Sequence, residues 1–104
     1  MITTQVTDTS LGRPVERVPV ELDVFITGKG WHEVGRGVTN SEGMIADFGE
    51  PAAPGLYRLM FDAGSYLPEA FFPSINVIFD VSDSSERCHL PLLLSRFGYS
   101  VYRG

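Results

Sequence analysis

The chain has 104 residues, the length of one compact domain, and its 43% hydrophobic, 20% charged and 12% aromatic residues are a globular composition. We therefore expect a single domain over residues 1–104. A formal net charge of -5 argues against a nucleic-acid partner, because the average surface would repel a phosphate backbone.

The amino-terminal residues show no basic segment followed by an apolar run, and the longest aliphatic stretch covers only residues 92–94. The sequence therefore predicts neither a signal peptide nor a membrane span. Cys88 is the only cysteine, so it can form neither an internal disulfide nor a paired-cysteine metal site. A lone cysteine fits a reducing compartment, and we expect a cytoplasmic protein without a metal or a cofactor.

The first clear strand is predicted at residues 18–26, where apolar and polar side chains alternate. A glycine-containing turn at residues 27–30 follows, and residues 31–38 resume as a candidate partner strand. The simplest interpretation of this region is a β-hairpin. The apolar members of the first strand are Val18, Val20, Leu22, Val24 and Ile26.

The rest of the chain predicts further short strands at roughly ten-residue spacing, which favours an antiparallel β-sandwich. Residues 64–71 have room for about two helical turns, which Pro68 limits. Exposed strand edges and many aromatic residues favour association into an oligomer. The predicted elements are, in chain order, a turn at 40–43, a short segment at 44–48, a loop at 50–55, strands at 57–61 and 75–81, a polar turn at 82–85 and a strand at 90–94.

His89 is the most informative position, because it alternates with the three leucines at positions 90, 92 and 94. If the leucine face packs into the core, His89 points outward. Alternation turns Gln5 outward on the first strand in the same way. Each is more often a plain surface or interface side chain; the alternative for His89 is an acid or base at an intersubunit site.

Other candidate residues favour structural interpretations. His32 has no cysteine or carboxylate at metal-ligand spacing, so we interpret it as a surface residue. The glycine fragments at 28–30 and 35–37 open no helix and are interpreted as turns or strand irregularities rather than phosphate loops. Cys88 precedes His89, but neighbouring strand residues point to opposite faces, which predicts a buried and unreactive thiol.

The closing segment, residues 89–104, reads HLPLLLSRFGYSVYRG. It resembles the carboxyl-terminal signature of the 5-hydroxyisourate hydrolases, the transthyretin-like proteins of purine breakdown. Residues 4–8, 39–43 and 57–66 are also similar to motifs of that family. The resemblance implies an all-β, two-sheet sandwich of about eight strands with one short helix, assembled as a homotetramer, a dimer of dimers. It further implies that a small-molecule ligand binds in a channel where dimers meet.

The resemblance also implies a set of site residues. Hydrolysis of a cyclic ureide in this family needs water activated by histidine, a cation for the anionic ring, and a terminal Tyr-Arg-Gly-Ser that closes the site. Part of that set is present here, but no serine follows Gly104 in this sequence, so we expect a carboxylate at that position. We therefore predict catalytic roles for His89, Gln5, Tyr102 and Arg103, and substrate contacts for Met44 and Gly104.

Two of these positions depart from the family pattern. Gln5 stands where the first family histidine is expected, and Met44 where an arginine is expected. Glutamine takes up no proton at neutral pH, and methionine cannot pair with an anion. Because losing a positioned acid or base typically slows a reaction by about 10²- to 10⁴-fold, we expect little standard hydrolase activity and a more apolar pocket. Arg96, in place of a family proline, returns a cation to the neighbourhood.

Three functions fit these residues. The first is an enzyme on a small nitrogen heterocycle, a cyclic ureide or related ring, with His89 as acid or base. Gln5 and Tyr102 would orient the ring or a water molecule, and Arg103 would supply charge. The alternatives are a non-catalytic tetramer that binds an apolar or aromatic ligand, which Met44 favours, and an inactive paralogue that associates with an active one.

Overall fold

The computed structural model describes residues 1–48, 51 and 53–104, in which nine strands form two sheets. Residues 50 and 52 of the predicted loop lie outside the described residues. The architecture confirms the predicted all-β sandwich. The strands are β1 (Ile2–Asp8), β2 (Arg13–Pro14), β3 (Pro19–Ile26), β4 (Gly30–Val38), β5 (Met44–Ile45), β6 (Gly55–Asp62), β7 (Ser74–Val81), β8 (Cys88–Leu94) and β9 (Tyr99–Val101).

The first sheet has five strands. β8 lies between β1 and β9, while β2 and β5 both pair with the other edge of β1. β1 and β8 run parallel, which departs from the antiparallel pairing expected throughout. Alternation shows which face of a strand is buried but not the direction of its neighbour. A parallel pair needs a long crossover, and here the chain of the entire second sheet provides it.

The second sheet is antiparallel throughout, in the order β4-β3-β6-β7. The predicted hairpin is confirmed as β3 and β4, joined at a turn where Gly28 has a φ of 82°. The register of that hairpin shifts between Leu22 and Asp23, beside Gly35, so the second glycine fragment is a strand irregularity as predicted. β4 and β7 are the edges of this sheet.

The two sheets enclose one hydrophobic core, built from alternate residues of each strand. In β8 every second side chain is buried, which confirms that the leucine face packs inward. His89 and Gln5 are half-buried on the opposite face of their sheet, and Cys88 is buried, as predicted. Members of the core from four of the strands are Ile2, Val6, Leu59, Phe61, Ile75, Leu90, Leu92 and Leu94.

Local elements differ from the prediction in two places. The expected helical segment at 64–71 is a single 3-10 turn, Ala63–Ser65, because the chain cannot continue a helix into Pro68. β5 ends at Ile45 rather than near residue 48, although the N–H of Phe48 still donates to the Ile2 carbonyl at 3.2 Å. No helix in the described part of the chain is long and apolar enough to cross a membrane.

Asp8 ties the end of β1 to the loop that follows it and to the 3-10 turn. The Tyr66 hydroxyl donates to Oδ2 at 2.7 Å, and the N–H groups of Ser10 and Leu11 donate to Oδ1 at 2.8 and 3.1 Å. Burial would raise the pKa of Asp8, but these hydrogen bonds and the nearby Arg13 outweigh burial and lower it. The folded state therefore stabilises the ionised carboxylate.

We expect Asp8→Asn to lower the free energy of unfolding at neutral pH by about 1–2 kcal/mol. The folded-state pKa lies below the ordinary value of 3.8, so the contribution of Asp8 is complete above that value and is lost as the pH falls through the folded pKa. Urea unfolding between about pH 6 and about pH 2.5 measures this dependence. Wild type should lose more stability than Asp8→Asn over that range, and equal losses would contradict the assignment.

Candidate functional site

His89 is held by a hydrogen bond across the parallel ladder of β1 and β8. The register places Thr3 directly opposite His89, and Thr3 Oγ1 lies 2.7 Å from Nδ1 of the imidazole. Thr3 is buried and His89 is half-buried, so the contact is partly shielded from water. This bond fixes the ring and leaves Nε2 with no partner among the residues that the structure describes. Nε2 is therefore the atom that can exchange a proton with a ligand or a water molecule.

Gln5 and Met44 are direct neighbours on the same face of the sheet. They are opposite each other in the antiparallel ladder of β1 and β5, an arrangement that brings two side chains into contact range. The Gln5 side-chain amide donates to the carbonyl of Glu42 at 3.1 Å, which orients it toward the turn before β5. The two positions that depart from the expected histidine and arginine therefore form one patch beside His89.

The turn at residues 40–44 sets the position of Met44. Asn40 Oδ1 accepts hydrogen bonds from the N–H groups of Glu42 and Met44 at 2.9 and 3.1 Å. Gly43 has a φ of 74°, and a Cβ added there would lie 2.5 Å from the carbonyl oxygen of Val6. The close approach lets the N–H of Val6 donate to the Gly43 carbonyl at 2.8 Å. Only glycine tolerates both the positive φ and the lack of space for a Cβ, so glycine at position 43 lets this turn pack directly against β1.

Gly104 lies against the His89 ring. Its N–H donates to the His89 carbonyl at 2.8 Å, so the chain after β9 continues along β8. A Cβ at Gly104 would lie 3.0 Å from His89 Cδ2 and 3.0 Å from Pro91 Cγ. A larger residue would therefore push against the ring. This contact is a steric reason for glycine at position 104.

These elements line an open cavity of about 460 Å³. It contains three of the predicted site residues, His89, Met44 and Gly104, while Gln5 adjoins it through its pairing with Met44. The lining combines a hydrogen-bonded imidazole, apolar side chains and one guanidinium, from Arg87. Its residues are Met1, Thr3, Met44, Ala46, Arg87, His89 and Gly104.

The chain does not bring Tyr102 and Arg103 into this cavity. Both line a separate cavity of about 210 Å³ between β7 and the end of the chain, and Arg103 pairs with Glu86 at 3.1 Å. Arg96 does not line the His89 cavity either, because its guanidinium stacks 4.9 Å above the ring of Phe97. A role for Tyr102 or Arg103 at His89 therefore requires a second copy of the chain or a movement of the terminal residues.

Sequence reasoning missed Thr3 and Arg87. Thr3 could have been found from the alternation already used, because it precedes Gln5 by two residues in β1. Arg87 lies just before β8 begins, so strand alternation does not place it. His32, by contrast, is exposed on β4 of the other sheet, as predicted. Within the described residues no group of three or more histidine, cysteine, aspartate and glutamate side chains could hold a metal ion.

Comparison with protein families gives a match to the HIUase/transthyretin family over residues 2–104. A bifunctional uric acid degradation protein of Arabidopsis thaliana is 39% identical over 99% of this chain, which spans only 36% of that relative. The 5-hydroxyisourate hydrolase of Salmonella dublin is 37% identical over all of this chain and 80% of its own length.

Solved structures give the same result for the fold. A 5-hydroxyisourate hydrolase from Klebsiella pneumoniae has a TM-score of 0.85 at 31% identity, covering 99% of this chain and 97% of that one. Sea bream transthyretin, solved in complex with thyroxine, has a TM-score of 0.92 at 25% identity, covering 99% of this chain and 93% of that one. An enzyme and a ligand-bound protein therefore share the same sandwich.

Proposed function

Because the chain belongs to the HIUase/transthyretin family, we propose that it binds and transforms a small nitrogen heterocycle, a cyclic ureide or a related ring, at the His89 cavity. The observation that carries this proposal is the fixed His89 imidazole, which is bonded to Thr3 through Nδ1 and lines a cavity of about 460 Å³. That volume lies within the range of small-molecule sites.

His89 would act as the acid or base. A hydrogen bond to one ring nitrogen sets the orientation of the imidazole, and the other nitrogen can then transfer a proton to or from a ligand or a water molecule. Gln5 supplies hydrogen bonds but takes up no proton at neutral pH, and Met44 brings no charge. Hydrolysis of 5-hydroxyisourate itself would therefore be slow, and the favoured substrate would be a related ring from purine breakdown.

The proposed working form is a homotetramer, a dimer of dimers. β7 and β9 are both edge strands with unpaired backbone groups, which favours pairing with a second copy. Large apolar side chains are exposed beside these edges: Ile78 is 57% exposed, Phe97 70% and Tyr102 56%. A second copy over the outer face of the first sheet would cover His89 and turn the open cavity into a channel. The single buried cysteine is consistent with a cytoplasmic location.

A ligand-binding protein without catalysis is the second candidate. Met44 and Ala46 give the cavity an apolar wall, and the fold is as close to sea bream transthyretin, solved with thyroxine, as to a hydrolase. In that case the ring of His89 would donate or accept a hydrogen bond without transferring a proton.

The test is the initial rate of 5-hydroxyisourate loss, followed by ultraviolet absorbance. We expect wild type to exceed the uncatalysed rate but to fall at least 10²-fold below the Salmonella dublin enzyme, because one proton-transfer group is missing. His89→Gln should abolish the remaining catalysis. His32→Gln is the matched control, because His32 is exposed on the other sheet, and its rate should equal that of wild type.

Each other outcome has a distinct meaning. A wild-type rate equal to that of the Salmonella enzyme would contradict the loss of function at positions 5 and 44. Unchanged activity in His89→Gln would remove His89 from catalysis. No rate above background, together with saturable binding of the ring, would favour the ligand-binding candidate over the enzyme.

A further inference from the structure

Arg87 is the charged side chain at the His89 cavity to which the proposed function gives no role. It lies two residues before His89, immediately before β8 begins, and lines the same cavity. Arg87 is exposed, and its guanidinium forms no hydrogen bond or ion pair with any residue in the described part of the chain. When an arginine lines a cavity and has no protein partner, all five of its N–H donors are available to a ligand.

The acidic side chains near Arg87 lie outside the His89 cavity. The preceding residue, Glu86, is engaged by Arg103 at 3.1 Å, next to the other cavity. The residues that line the His89 cavity include no aspartate or glutamate. The Arg96 guanidinium stacks on the Phe97 ring. Arg87 is therefore the arginine or lysine among the side chains that line the cavity with His89, and none of those side chains carries a carboxylate.

The remaining walls suit a flat ring. Met44 and Ala46 present apolar surface, against which the faces of a heterocycle can pack. A guanidinium is planar and carries five donors, which match a carboxylate or a ring edge with delocalised negative charge through paired hydrogen bonds. Such a bond to an ionised acceptor is about twice as strong as a neutral one.

We propose that Arg87 binds the negatively charged edge of the ligand, so that this site selects planar heterocycles with a delocalised negative charge over neutral rings of the same size. The inference rests on the proposed function, because it names the ligand class and a specificity residue for the same cavity. It also explains how the site keeps a cation although position 44 is methionine.

The experiment measures the dissociation constants of urate, which is a monoanion at neutral pH, and of hypoxanthine, a neutral purine, by calorimetry. Arg87→Gln should weaken urate binding by about 10- to 100-fold, the range that corresponds to one hydrogen bond to a charged group. Hypoxanthine binding should change by less than about threefold. Arg87→Lys should fall between wild type and Arg87→Gln for urate. Arg96→Gln, which removes the same charge outside the cavity, is the matched control and should bind both purines like wild type.

The outcomes separate this inference from the proposed function. Equal losses for urate and hypoxanthine, or unchanged urate binding in Arg87→Gln, would overturn the assignment of Arg87. If urate binding is unchanged in Arg87→Gln but weakened in His89→Gln, the proposed site stands and only Arg87 loses its role. If wild type binds neither purine, the proposed function and the role of Arg87 fail together. Sedimentation velocity verifies that Arg87→Gln assembles as wild type does.

Discussion

The double variant Gln5→His, Met44→Arg is expected to hydrolyse 5-hydroxyisourate at least about 10²-fold faster than the wild-type chain. The two positions are opposite each other in the ladder of β1 and β5, on the face that carries His89. A histidine at position 5 would add a second side chain that can transfer a proton, and an arginine at position 44 would restore a cation for the ring. The single variants should each give a smaller gain, and the gains need not multiply because the two groups act on one transition state.

Absorbance assays at matched chain concentration measure these rates. A control double variant, Val34→His with Val38→Arg, introduces the same two side chains at exposed positions of β4, on the other sheet. It should leave the rate unchanged. A double variant at positions 5 and 44 that stays as slow as wild type would show that the site differs from the family in more than these two residues.

Arg58→Met is expected to lower the free energy of unfolding by about 3 kcal/mol. Arg58 donates to Asp23 Oδ2 at 2.7 Å, and the Asp23 side chain is only 3% exposed. The same guanidinium stacks 4.4 Å above the Trp31 ring. Methionine keeps much of the packing volume but leaves a buried carboxylate without its counter-charge, which is the costly part of the change.

Urea unfolding at one chain concentration measures the loss, because assembly would otherwise shift the apparent stability. Arg36→Met is the matched control: its ion pairs with Glu21 and Glu33 lie on the surface, so the expected change is below about 1 kcal/mol. The double variant Asp23→Asn, Arg58→Met should be more stable than Arg58→Met alone, because it leaves no unpaired charge at these two positions. A double variant less stable than the single one would contradict this explanation.

Alternation along the strands was sufficient to predict the faces of the sandwich. The leucines of β8 identify the core side unambiguously, so the outward orientation of His89 follows from three neighbouring positions. The hairpin of β3 and β4 could be predicted equally well, because its strands and its glycine turn are contiguous in sequence. These features depend on residues within a few positions of one another.

The residues that contact His89 across the sheet are far from it in the sequence. Thr3 meets His89 across 86 positions, and only the parallel register of β1 and β8 brings them together. Nothing local to either strand encodes that direction. The contact between Gly104 and the imidazole likewise depends on how β9 pairs with β8. The separation of Arg103 from the His89 cavity follows from the same pairing and from its contact with Glu86.

A urate titration followed through the imidazole resonances of the two histidines addresses the central claim most directly. His89 faces the proposed cavity, and His32 is exposed on β4 of the other sheet, so each molecule carries its own control. If small rings bind where we propose, the His89 resonances shift with urate and reach saturation while the His32 resonances stay in place. His89 resonances that do not move, or that move in proportion to those of His32, would contradict a binding site at this face.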